Sequence, residues 1–193
     1  MSNRRYRLRP SNTFAAIIVH NDDGKLLSRL GHDHVVRATD FTSTVAIDPD
    51  HPEKLGFSLN FPVRSLVVDD ADDRARVDLD GTVSERDQKM TRNNMLADGQ
   101  LDADRHETIK FRVTGARPEP SGLWVLDTNM SVRGHRFEFE FPVSVDLSPR
   151  LLVSGRIDIG HSDLGLKPYR APMGTLRNRE KLTLVVDIDA VPL

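Results

Sequence analysis

Strict alternation of apolar and polar residues constrains this chain's fold more than any other feature. In Phe137-Glu138-Phe139-Glu140-Phe141-Pro142-Val143-Ser144-Val145, five apolar side chains alternate with polar residues or proline. Successive side chains of a strand point to opposite faces, so the run predicts a strand with one buried and one wet face. The same pattern runs through Phe57 to Val63, Ile109 to Val113, Leu151 to Ile159 and Leu182 to Ala190. Less regular strand candidates are Phe14 to His20, Val35 to Ile47 with an interruption near Asp40, and Leu123 to Val132. Together these give about eight strands, each with a wet face.

Turn chemistry separates them. Asn21-Asp22-Asp23-Gly24, Asp48-Pro49-Asp50-His51-Pro52, Pro118-Glu119-Pro120-Ser121-Gly122 and Arg133-Gly134-His135 all favour chain reversal, the last as a tight hairpin. Pro62 and Pro142 fall inside strand patterns and are expected at edges or bulges, where a missing N–H is tolerated. One segment follows a different period. Glu85 to Ala97 suits a helix with Ser84 as N-cap, acidic residues in its first turn and Gly99 just beyond its end. Met90, Met95 and Leu96 form only a narrow apolar stripe, so this helix is expected on the surface or over one end of a barrel.

Many short strands without a βαβ alternation predict an all-β sandwich or up-and-down barrel, and closure of the edges favours an eight-stranded antiparallel barrel. Its interior either fills with side chains or keeps room for one small ligand. At 193 residues with 38% apolar content, the chain suits one domain over 1–193. The balance of 27 basic and 29 acidic residues gives a net charge of −2, which offers no field for a nucleic-acid partner. Without cysteine there is no disulfide, thiolate metal site or cysteine nucleophile. No apolar run approaches the length of a membrane-spanning helix, and Phe14 to Val19 is too short for a secretory h-region, so a cytoplasmic location is expected.

The order of several local motifs resembles the YceI-like family of lipocalin-like, polyisoprenoid-binding proteins. The resemblance rests on Gly31-His32-Asp33-His34 leading into a strand, Phe61-Pro62-Val63-Arg64-Ser65-Leu66, and the helix from Arg86-Asp87 to Asn94-Met95-Leu96. It continues with Leu101-Asp102 to Ile109-Lys110-Phe111, Met130-Ser131-Val132-Arg133-Gly134-His135 before Phe137, and Asp163-Leu164-Gly165-Leu166 before a final strand. The resemblance implies an eight-stranded lipocalin-like barrel with a helix near its opening and an elongated apolar interior for an isoprenoid tail. Candidate lining residues are Phe57, Leu59, Phe61, Phe111, Val113, Met130, Phe137, Phe139, Phe141 and Val143, with Trp124 a further candidate; each also suits plain core packing.

His32 and His34 are two apart, so in a strand they share a face with Val36 and Ala38. At a barrel mouth they can hydrogen-bond a polar headgroup, or bind a metal with His161 or Asp163 as third ligand; bonding to backbone or solvent in a turn is the plainer alternative. His20, His51, His106 and His135 lie in or beside charged turns and are expected at the surface. Asp69-Asp70-Ala71-Asp72-Asp73 lacks the spacing of a calcium loop and is expected as a solvated acidic loop. Lys167, Arg170, Arg177, Arg179 and Lys181 cluster near Pro168-Tyr169 and Pro172-Met173-Gly174, where they can meet an anionic headgroup or membrane surface, or only solubilise a loop. Neither a Gly-x-Ser-x-Gly elbow nor a His-Glu-x-x-His helix is present, and no catalytic residue, metal or cofactor is assigned. The reading is non-catalytic binding, storage or transport of an isoprenoid or other apolar lipid. The alternatives are a metal-dependent enzyme using His32 and His34, and a ligand-free stress-response or assembly module. A homodimer through an exposed β edge is also compatible with the pattern.

Overall fold

The computed structural model describes residues 4–22, 31–47, 51, 56–147, 150–171 and 176–192. Asp23-Gly24, Asp48 to Asp50 and Pro52 of the expected turns, and Pro172-Met173-Gly174, lie outside the described residues. Among the described residues, eleven strands form one antiparallel sheet: β1 (Arg4–Arg5), β2 (Thr13–Asn21), β3 (His34–Ala38), β4 (Thr42–Ile47), β5 (Gly56–Pro62), β6 (Leu66–Val68), β7 (Thr108–Pro118), β8 (Trp124–Val132), β9 (His135–Asp146), β10 (Leu151–Gly160) and β11 (Asn178–Ala190). Their order is β1-β4-β5-β7-β8-β9-β10-β11-β2-β3-β6.

Chain continuity curls this order into a lipocalin-like barrel. β3 runs on into β4 after a break at Thr39–Phe41, and β5 runs on into β6 through a 3-10 turn at Val63–Ser65. The two broken strands remain partners: Ala38 faces Leu66 on one side of the corner and Thr42 faces Asn60 on the other. Within the corner, the Thr39 hydroxyl donates to the Ser65 carbonyl at 2.6 Å. Counting β3–β4 and β5–β6 as one bent strand each, and setting aside the two-residue β1, recovers the eight expected spans; Pro62, the last residue of β5, marks the corner.

The wall between β9 and β10 is joined differently. β9 pairs with β8 from Trp124↔Val143 to Val132↔His135, but with β10 only from Leu152↔Asp146 to Ser154↔Ser144. Pro142 lies just past the last of these pairs, where β9 no longer owes β10 a donor. At the far end of this seam the turn after β10 comes up against the β8–β9 hairpin, so closely that a side chain on Gly165 (φ 68°) would meet His135. The hairpin itself turns on Arg133 (φ 51°) and Gly134 (φ 78°), the left-handed pair that a two-residue reversal requires.

Among the described residues, two α-helices complete the fold. α2 (Glu85–Leu96) begins at Ser84, whose hydroxyl accepts from the Asp87 N–H. It buries no residue of its own, and hydrogen bonds to backbone carbonyls hold it over one end of the barrel. Arg92 donates to Leu66 and Arg64, and Gln88 to Asp69. α1 (Ala71–Arg76) was not expected. It covers the outer face of the sheet, where Val77 completes a second apolar cluster with Phe14, Ile18, Val35 and Val185. Around this cluster β2, β3 and the Leu184, Val185 and Val186 stretch of β11 are covered on both faces, which corrects the expectation of a wet outer face there. The unbroken apolar runs Phe14 to Val19 and Leu184 to Val186 carried that signal, because alternation fails where both faces are buried.

The acidic run is corrected as well. Asp70 caps α1 by accepting from the Asp72 and Asp73 N–H groups, while Asp69 and Asp73 are buried. Asp73 binds Arg37 of β3 at 2.7 Å. Burial of these carboxylates is possible because each has a guanidinium partner.

Candidate ligand cavity

Among the described residues, the barrel interior holds a large void and a small one. The larger, about 510 Å³, lies at the α2 end; the smaller, about 60 Å³, lies towards the other end and is lined only by apolar residues. Phe111 and Val186 border both. The large cavity falls within the roughly 300–1,000 Å³ typical of small-molecule sites. Inward residues of β2 (Ala15, Ile17, Val19) and of β11 (Leu182, Leu184) form part of its wall. Small side chains there, including Ala15 and Ala38, are what keep the space open.

Of the lining residues expected from sequence, Leu59, Phe61, Phe111 and Met130 border the large cavity, with His32 and His34 at its rim. Phe57, Val113, Phe141 and Val143 border the small void instead, together with Phe111 and Trp124. Phe137 and Phe139 border neither. Their rings stack at 5.0 Å, half-buried along the β9–β10 seam. Alternation identified the inward face of β9 but gave no means of locating where along it the barrel is hollow.

The rim is polar. Asp87, Met90, Thr91, Asn94 and Met95 line the cavity from α2, a spacing that places them on one helical face. Met90 is 55% exposed, so the cavity reaches the surface beside it. Opposite α2, Leu166, Tyr169 and Ala171 line the cavity from the segment after β10, and Asn94 donates to the Tyr169 hydroxyl at 3.2 Å. Of the basic cluster, Lys181 is paired with Asp158 at 2.7 Å.

His32 and His34 stand on the same side, with ring centroids 4.6 Å apart. The His34 Nδ1 lies 2.6 Å from Asp69 Oδ2, while Asp69 Oδ1 accepts from the Val35 N–H at 3.0 Å and from Arg74 at 2.9 Å. Arg74, 3% exposed, further donates to the carbonyls of Asp33, Asp80 and Gly81. Burial pushes the Asp69 carboxyl up, but the bonds from His34, Val35 and Arg74 outweigh it and hold the group below its usual range. His32 Nε2 is buried and has no hydrogen-bond partner among the described residues. Burial, followed by the neighbouring His34 charge, lowers the His32 pKa below its ordinary value.

The third group beside the two histidines is therefore Asp69, which replaces the expected His161 or Asp163. Asp163 is occupied with the Gly160 N–H at 2.7 Å, and His161 Nδ1 lies 3.0 Å from the Glu180 carbonyl. His20 is corrected from a surface residue to a half-buried link between Asp33 at 2.7 Å and Thr183 at 2.9 Å.

Barrel, hollow interior and polar rim define the class: a lipocalin-like binding fold. The chain belongs to the YceI-like family, whose domain model matches residues 6–190. Among solved structures it resembles Burkholderia cenocepacia BcnA, with a TM-score of 0.68 at 10% identity over 96% of this chain and 100% of that one. It also resembles a Campylobacter jejuni YceI protein, with a TM-score of 0.57 at 10% identity over 81% of this chain and 83% of that one. No curated protein matches the sequence. Identity this low carries the fold alone. Among the described residues, no helix is long and apolar enough to cross a membrane.

Proposed function

We propose that the protein binds a long apolar molecule of the isoprenoid class inside the barrel and carries or stores it without altering it. The observation that supports this most directly is the 510 Å³ cavity, apolar along its walls and polar only at the rim. Each CH₂ moved from water to such a wall contributes about 0.8 kcal/mol, so a prenyl tail needs few directional contacts. Its polar end belongs at the rim, where the unpartnered His32 Nε2 offers a hydrogen bond. The family resemblance points the same way.

The test is extraction of protein purified without added lipid, followed by mass spectrometry. A stoichiometric prenyl lipid is expected in the wild type and is expected to be lost in Ala38→Trp, which fills the cavity from its wall. Wild-type protein that yields only solvent, and fails to take up an added prenyl lipid, sinks the reading.

A further inference from the structure

The ligand reading uses His32 Nε2 and does not account for its grouping with His34 and Asp69; with an ion bound there, the polar end of a ligand meets the ion in place of that nitrogen. Donor atoms of these three side chains lie within 4.8 Å of one another. The Nδ1 of His34 is engaged by Asp69, which leaves its Nε2 as the free ring nitrogen. His32 contributes a second one, buried and without a partner among the described residues. Asp69 has a fully buried side chain fixed by Val35 and Arg74, so it holds one orientation before anything binds.

We propose that the cavity mouth is a site for a divalent first-row transition ion, bound by the free ring nitrogens of His32 and His34, with Asp69 as the carboxylate behind His34. A carboxylate that accepts from the far nitrogen of a ligating histidine fixes its tautomer and raises its basicity. Two imidazoles select zinc-like ions over calcium or magnesium, which take oxygen ligands. The charge around the site allows it. Arg74 is offset by Asp69, and Asp87 brings a further carboxylate to the same rim. Positions not filled by histidine face the cavity, open to water or to an oxygen at the polar end of a bound molecule. The ion site does not depend on that molecule being an isoprenoid.

The test is titration of EDTA-treated, full-length protein with ZnCl₂ by calorimetry, and with Co²⁺ by visible absorption. One saturable equivalent is expected. His32→Ala removes one of the two direct ligands and is expected to weaken binding by more than the roughly tenfold to hundredfold that loss of an outer-shell partner causes. His135→Ala, on the exposed hairpin, is the control and is expected to change nothing. Ring-proton NMR of the wild type gives an independent readout, with Zn²⁺ shifting His32 and His34 and not His135. Absence of saturable binding, equal affinity in His32→Ala, or Zn²⁺-induced shifts confined to other histidines overturns the proposal.

Discussion

Asp69 ties together β3, α1 and the cavity mouth. Its backbone sits in the left-handed region at φ 55°, which aspartate tolerates better than most residues, and its carboxylate joins β3, Arg74 and His34. Asp69→Ala leaves Arg74 buried with its charge uncompensated, and a loss of about 3–5 kcal/mol is expected, read by urea unfolding. Gly155 is constrained in the opposite sense, by space. A side chain there would sit 2.7 Å from Val143 and 2.9 Å from the Pro142 carbonyl, so Gly155→Ala forces β10 away from β9. A cost of about 1–3 kcal/mol is expected on the same assay, in line with overpacked cores.

The two helices are anchored differently, and their variants are expected to reflect it. α1 is anchored by the buried Asp73–Arg37 and Arg74–Asp69 pairs, and Val77 just beyond its end packs into the outer apolar cluster, so Val77→Ala is expected to lower global stability by about 1–3 kcal/mol in denaturant. α2 is held by polar bonds to carbonyls as well as by Met95 and Leu96 packed on the core, so Arg92→Ala, which removes only bonds of the first kind, is expected to accelerate ligand exchange, measured by stopped-flow displacement of a fluorescent lipid, with little change in unfolding midpoint. Between β10 and β11, Asp158 is held below its usual pKa by hydrogen bonds from Lys181 and Thr183. A depressed carboxylate adds stability that is present above its unfolded pKa and is lost as pH falls through its folded one. Asp158→Asn is therefore expected to lower stability at neutral pH, where the carboxylate is charged, and to converge on wild type in acid, so that urea unfolding across pH shows a flatter acid limb. Alternation and turn residues made the eight spans legible, and Ser84 announced α2. α1 was hidden because its acidic residues read as a solvated loop, and the partners that bury them, Arg37 and Arg74, are found only when the chain is folded. The site was half legible for the same reason: two residues of spacing bring His32 and His34 together, but 35 residues separate His34 from Asp69.

For the whole molecule, the interior is defined by what the wall leaves out. Small residues at Ala15 and Ala38 open one end, while Phe57, Phe141 and Trp124 fill the other down to a remnant void. The seam between β9 and β10 sets how far that interior can give. A tube hydrogen-bonded around its whole circumference behaves as a closed hoop, whereas this one is fastened at two points with an unlaced length between them. Changing its girth there breaks no ladder bond and costs only side-chain contacts across the seam. Amide exchange is therefore expected to be faster from Arg136 to Phe141 than along β7. A longer or shorter guest would be accommodated by slack in the lacing, with the strands themselves unchanged.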